Sequence, residues 1–189
     1  MLSGRRLDLV DPSPLDVEID DIAHGLSRVA RWNGQTRGEE IFSVAQHSLL
    51  VEALFTQAAD AGESLTALLH DAPEFVVGDM ISPFKATIGD QYRAVEERLQ
   101  GAIHLRFALP ARVEPRLKKA IKVADRAAAY FEATQLAGFE ADEAQRLFGA
   151  PPVAYESVAP YLAPWRPIEA QRRFLTRFHA LEAGRAAAG

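Results

Sequence analysis

The sequence predicts an all-α fold, a single helical bundle, on three observations. Apolar residues recur at three- and four-residue steps through most of the 189 positions, as the buried face of a helix requires. The sustained two-residue alternation of a half-buried strand is missing. Alanine-rich stretches such as ADRAAAYFEA favour helix by intrinsic propensity. This length, with 48% hydrophobic residues, suits one domain with a real core. Its expected limits are an irregular lead-in over 1–15, the domain over 16–184 and a frayed tail over 185–189.

Pro12, Pro14 and Asp11 keep the lead-in irregular. Val17, Ile19, Ile22, Leu26 and Val29 then predict a first helix over 16–32, stopped by Asn33-Gly34. A second, over 44–59, carries Leu49, Leu50, Ala53 and Leu54 on one side and includes His47. A short apolar helix over 63–72 ends at His70-Asp71, because the residue before Pro73 disfavours helical backbone. VVGDMISPFK, with Gly78 and Pro83, predicts a turn-rich loop with a helical turn near Glu74. Helices follow over 90–107 and 115–136, the latter opened by Pro115 and holding Asp125 in its middle. Five prolines make 149–167 a loop with at most a short helix, before a last amphipathic helix over 167–184.

The formal charge is −5, so no overall cationic field draws nucleic-acid polymers or anionic lipid. Cysteine is absent, which excludes disulfides, thiolate metal sites and thiol nucleophiles. Any metal is held by nitrogen and oxygen. The opening MLSGRRLDLVDPSP has no apolar signal core, and no window approaches the roughly 20 apolar residues of a membrane span. The expected location is the cytoplasm.

His70 and Asp71 stand adjacent where the flanking sequence predicts burial, and buried ionisable groups need a partner or a metal. His47 lies one helix earlier on an apolar face, and Asp125 lies among small apolar residues of a later helix. Each alone has a bland reading as a core, capping or surface residue. Together, two imidazoles and two carboxylates can converge on one ion, and such a set suits a transition metal better than Mg²⁺ or Ca²⁺.

His70 follows His47 by 23 residues and Asp125 follows Asp71 by 54, an H…HD…D order on predicted helices that resembles the HD-domain superfamily of phosphohydrolases. SVAQHSLLVEAL, LLHDAPEFVVGDMISPFK and IKVADRAAAY are similar to the three core motifs of its small YfbR-like 5′-deoxynucleotidase branch, and Arg31-Trp32 resembles that branch's Arg-Trp pair. The resemblance implies His47, His70, Asp71 and Asp125 as ligands of one divalent ion, Co²⁺, Mn²⁺ or Zn²⁺ before Mg²⁺. It implies Glu74 as the acid/base residue, Asp79 and Trp32 at the sugar, and Arg31 at the phosphate. Helical spacing agrees for Glu74, four after His70, and puts Lys122 three before Asp125 on the same face. Lys122 and, more weakly, Lys85 are candidate phosphate cations or plain solvated side chains. Gln46 departs from the branch, which has Glu before the first histidine, and WNGQTRGEE departs from its usual linker.

The activity so implied is hydrolysis of (deoxy)ribonucleoside 5′-monophosphates to nucleoside and phosphate. The alternatives are a small deoxynucleoside triphosphate triphosphohydrolase, a non-catalytic HD-fold nucleotide or metal sensor, and a purely structural helical module. His24, His104 and His179 read as surface or interface residues, leaving ligands for one ion only. The resemblance further implies a homodimer.

Overall fold

In the computed structural model, residues 1–55 and 60–188 are described. Their helices are α1 (Ile19–Leu26), α2 (Val44–Leu54), α3 (Ala61–Leu68), α4 (Glu74–Val77), α5 (Ser82–Ile88), α6 (Asp90–Arg106), α7 (Pro115–Gln135), α8 (Ala141–Phe148), α9 (Ala159–Leu162) and α10 (Pro167–Ala188). The fold is all-α, with one isolated bridge between Ala30 and Ser43 as the only β pairing among the described residues. No described helix is long and apolar enough to cross a membrane.

The bundle is organised around α2. Every residue from Val44 to Glu52, and Leu54, is buried, so this helix is enclosed on all sides and not on the one side its leucines suggest. It packs against α7 on one side and against α3 and α10 on another. Two apolar clusters share it: Val44, Ala45 and Leu49 join Ile22, Leu65, Leu68 and Phe174, while Leu50, Val51 and Leu54 join Ile121, Ala128 and Phe131. The predicted end of this helix at Ala59 lies outside the described residues.

The predicted helix over 16–32 is three pieces: a 3₁₀ turn at Pro14–Asp16, α1, and a second 3₁₀ turn at Arg31–Gly34. The cause is non-local. Arg31 N–H bonds to Phe42 O at 2.8 Å and Val44 N–H to Val29 O at 3.0 Å, so this backbone pairs with the approach to α2 instead of with its own preceding turn. Trp32 and Asn33 consequently take left-handed backbone, with φ of 55° and 51°.

The segment read as a turn-rich loop contains α5, which Pro83 in its first turn opens and Gly89, at φ 78°, closes. The sequence reading places no helix at α8, although Ala141, Ala144, Leu147 and Phe148 recur there at helical spacing. The tail expected to fray is helical to Ala188: Arg185 donates to Phe107 O at 2.7 Å and Ala108 O at 2.9 Å and holds it down. His104, read as a surface or interface residue, is buried between Gln100 and the Pro110 carbonyl.

Candidate metal and phosphate site

His47 enters from the first turns of α2, whose start is fixed by the Ser43 hydroxyl accepting from Gln46 N–H. α3 stops at Leu68, and His70 and Asp71 sit in the tight turn beyond it, before Pro73 opens α4 with Glu74 as its first residue. α1 presses on this turn. A Cβ on Gly25 would lie 2.8 Å from Phe75 O, so only glycine allows the approach that seats α4. Asp125 comes from the middle of α7.

These segments bring the four predicted ligands together. His47 Nε2 lies 3.4 Å from Asp71 Oδ2 and 3.4 Å from Asp125 Oδ1, and His70 Nε2 lies 3.1 Å from Asp71 Oδ2. Ligand atoms of His47, His70 and Asp71 all fall within 4.8 Å of one another. Each imidazole uses Nδ1 elsewhere: His70 at Ala67 O, 2.9 Å, and His47 at Glu132 Oε1, 2.5 Å. Both Nε2 atoms are buried without an aligned hydrogen-bond partner among the described residues. Two orphaned, convergent imidazole nitrogens beside two carboxylates fit a divalent ion of the N/O-preferring kind.

The electrostatics of the cluster keep its carboxylates ionised. Burial works against charge on Asp71 and Asp125, yet the neighbouring histidines hold both below the usual carboxylate range. Burial and the Arg31 charge press His47 toward neutrality, and the surrounding Glu132, Asp125 and Asp71 carboxylates outweigh them and raise it. Glu74 goes the other way. Burial first, then the charges of Asp71 and Asp79, push its carboxyl up to about 9, so it holds a proton at neutral pH. Its Oε1 is 3.6 Å from Lys85 Nζ, and Oε2 is buried with no hydrogen-bond partner among the described residues.

The remaining predicted residues divide between two sides. Arg31 donates to Asp79 Oδ2 at 3.0 Å and, through Nε, to Glu132 Oε2 at 3.2 Å. Trp32 Nε1 donates to the same Glu132 oxygen at 2.9 Å, and its ring packs against Phe139 and Phe148. On the other side, a cleft of about 1310 Å³ between α6 and α7 is lined by His70, Asp71, Glu74, Asp125, Lys85 and Lys122, among others, and by none of Arg31, Trp32 and Asp79. Lys122 grips Asp125 Oδ2 at 2.6 Å, and Lys85 pairs with Glu96 at 2.9 Å.

Two residues correct the sequence reading. Glu132 escaped it, although it is fully buried and touches His47, Arg31 and Trp32. Its signal was available: it stands seven residues after Asp125, two turns along the same helix face, alone among alanines and aromatics. Gln46 turns away from the pocket. Its amide nitrogen donates to Tyr161 O and Ala163 O, both 2.7 Å, and its oxygen accepts from Trp165 N–H at 2.9 Å.

An all-α bundle that gathers His47 from α2, His70-Asp71 from the turn after α3 and Asp125 from α7, with two imidazole nitrogens orphaned, has the build of an HD-type phosphohydrolase. The family model for YfbR-like 5′-deoxynucleotidases matches residues 22–146, and the chain belongs to that family. It is 56% identical to the uncharacterized protein RCAP_rcc00048 of Rhodobacter capsulatus over 96% of this chain and 93% of that one. It is 34% identical to the uncharacterized protein YfdR of Escherichia coli over 58% of this chain and 56% of that one.

Proposed function

We propose that the protein is a metal-dependent 5′-nucleotidase that hydrolyses (deoxy)ribonucleoside 5′-monophosphates, deoxyribonucleotides preferred, to nucleoside and phosphate. The observation that carries this reading is the geometry of two neighbouring environments: orphaned His47 and His70 Nε2 atoms beside the Asp71 and Asp125 carboxylates, and a buried Glu74 carboxyl, whose burial favours its protonated form, at the edge of the same cleft. An ion held by His47, His70, Asp71 and Asp125 supplies charge neutralisation at the phosphate and acidifies water there. Glu74 hands its proton to the departing 5′-oxygen as the P–O bond breaks and regains one from the attacking water. Lys122 fixes the outer oxygen of Asp125 and leaves the inner one facing His47. Arg31 keeps its charge because Glu132 and Asp79 outweigh the cost of its burial. A substrate phosphate would take the Arg31 Nη1 that Asp79 now holds, freeing Asp79 for the 3′-hydroxyl beside the Trp32 indole.

A second reading, triphosphate release from deoxynucleoside triphosphates, is favoured by one observation: Arg98, Arg112, Lys118 and Lys119 line the same cleft. The test is product analysis on mono- and triphosphates of both sugars, using metal-stripped protein resupplied with Co²⁺, Mn²⁺, Zn²⁺ or Mg²⁺. Orthophosphate from deoxynucleoside monophosphates, lost in Glu74→Gln, is expected. Triphosphate as product moves the assignment to the second reading, equal rates on both sugars remove the deoxy preference, and ion binding without turnover points to a ligand sensor.

A further inference from the structure

Among the described residues, Glu132 is the one carboxylate that touches both halves of the site. Its Oε1 meets His47 Nδ1 at 2.5 Å. Its Oε2 receives Trp32 Nε1 at 2.9 Å and Arg31 Nε at 3.2 Å. The side chain is fully enclosed, so no water competes for these bonds. We propose that Glu132 is a positioning residue that couples the metal half of the site to its substrate half, setting His47 with Nε2 toward the ion and Arg31-Trp32 toward the nucleotide through one carboxylate. The inference rests on the metal-binding part of the proposed function and not on the identity of the substrate.

Three features carry it. A histidine that donates Nδ1–H to a carboxylate is held in the tautomer whose Nε2 lone pair is free to ligate, and its ring cannot swing. Trp32 and Asn33 hold left-handed backbone, at φ of 55° and 51°, a conformation that costs energy for non-glycine residues and persists only where surrounding contacts impose it. The Trp32 bond to Glu132 is such a contact, and the Arg31 N–H to Phe42 O bond next to it is another. Finally, Glu132 sits on α7 two turns after Asp125, so one rigid helix sets the spacing between a predicted ligand and the carboxylate behind another. A shift of His47 on binding an ion therefore reaches Trp32 through a single side chain. By reciprocity, disturbing Trp32 must alter ion binding.

The chain has two tryptophans, so in a Trp165→Phe protein the indole signal is that of Trp32 alone. Zn²⁺ has a filled d shell and does not quench as Co²⁺ would, which makes it the probe. Titrating Zn²⁺ into this metal-stripped protein, by calorimetry and by fluorescence, is expected to give saturable binding together with a shift in Trp32 emission. Adding Glu132→Gln is expected to weaken Zn²⁺ binding by about 10–100-fold, as loss of a carboxylate behind a ligating histidine does. At saturating Zn²⁺ it should also abolish the emission shift. Unchanged affinity, or an emission shift that survives in Glu132→Gln, overturns the proposal. If Glu132→Gln does not fold, Trp32→Phe in the otherwise unaltered chain decides. Relieved of one donor, Glu132 should hold His47 more firmly and tighten Zn²⁺ binding about 5-fold, the low end of ordinary coupling. An unchanged constant there is equally fatal. A parent protein that takes up no Zn²⁺ would instead sink the metal site itself, a different failure.

Discussion

His47 stands between two walls of unlike chemistry. Its Nδ1 bonds to Glu132 at 2.5 Å, and Glu132, Arg31, Trp32 and Asp79 bond to one another at 2.9–3.2 Å. Its Nε2 faces His70, Asp71 and Asp125, where two imidazole nitrogens and a Glu74 oxygen are buried without hydrogen-bond partners among the described residues. Burial leaves polar groups unsatisfied only at a cost of about 1–3 kcal/mol each, so a wall that tolerates several is organised for a ligand, and a wall that tolerates none is organised to hold that ligand's site rigid. The difference teaches how to read the effect of a substitution: removing a group from the open wall should cost function and little stability, and removing one from a closed network should cost stability first.

Glu74→Gln presses this contrast hardest. It keeps the shape and removes the proton donor, and activity should fall by about 10²–10⁴-fold with Zn²⁺ affinity and melting temperature nearly unchanged. The wild-type rate should also decline on the alkaline side, where the buried carboxyl gives up its proton and can no longer protonate a leaving group. The variant lacks that limb. A melting temperature that drops along with the rate would show that the open wall is structural after all.

Gln46→Glu makes the opposite change in a closed network. It restores the residue expected before the first histidine but removes both donors to Tyr161 O and Ala163 O and buries a carboxyl in their place. Urea unfolding should show a loss of about 2–4 kcal/mol, while ion affinity per folded molecule stays the same. Gly25→Ala lies between the two. Its Cβ would press on the Phe75 carbonyl at 2.8 Å, costing about 1–3 kcal/mol and displacing first the α4 residues that carry Glu74, so turnover should fall by more than Zn²⁺ affinity does.

The same contrast explains what the sequence could say. The open wall was legible because its residues carry chemistry in a fixed order along the chain: the structure brings His47, His70, Asp71 and Asp125 close to one another, the middle pair from a turn beyond α3, and Glu74 follows on the next turn. The closed wall was less so, because its logic is pairing across distant segments. Arg31 and Asp79 were each assigned a substrate contact and prove to hold one another. The period of apolar residues ran straight through 27–30 and predicted one helix, since nothing local announces that Arg31 N–H will pair with Phe42 O. Glu132 had a local signal, a lone acid on a buried face, but its three partners lie 85 to 101 residues away in sequence.

His104 sharpens the comparison at its smallest scale, because it is a buried histidine with both nitrogens occupied, the counterpart of His47 and His70. It donates Nδ1–H to Pro110 O at 2.9 Å and meets the Gln100 amide at Nε2, while Gln100 also donates to Leu69 O at 3.0 Å, next to His70. Burial lowers its pKa below the ordinary 6.5, with the Pro110 bond opposing. The unfolded chain therefore takes up this proton first as pH falls. The stability His104 contributes is complete above pH 6.5 and is lost as pH drops from there through its depressed folded value. His104→Gln should remove that part of the pH slope in denaturant unfolding, whatever it does to the midpoint, and the effect should be smaller than that of Gly25→Ala. A slope that persists unchanged would mean the proton is taken up elsewhere. A loss of Zn²⁺ binding in the same variant would mean that the Gln100–Leu69 link supports the turn carrying His70 and belongs to the site rather than to the scaffold behind it.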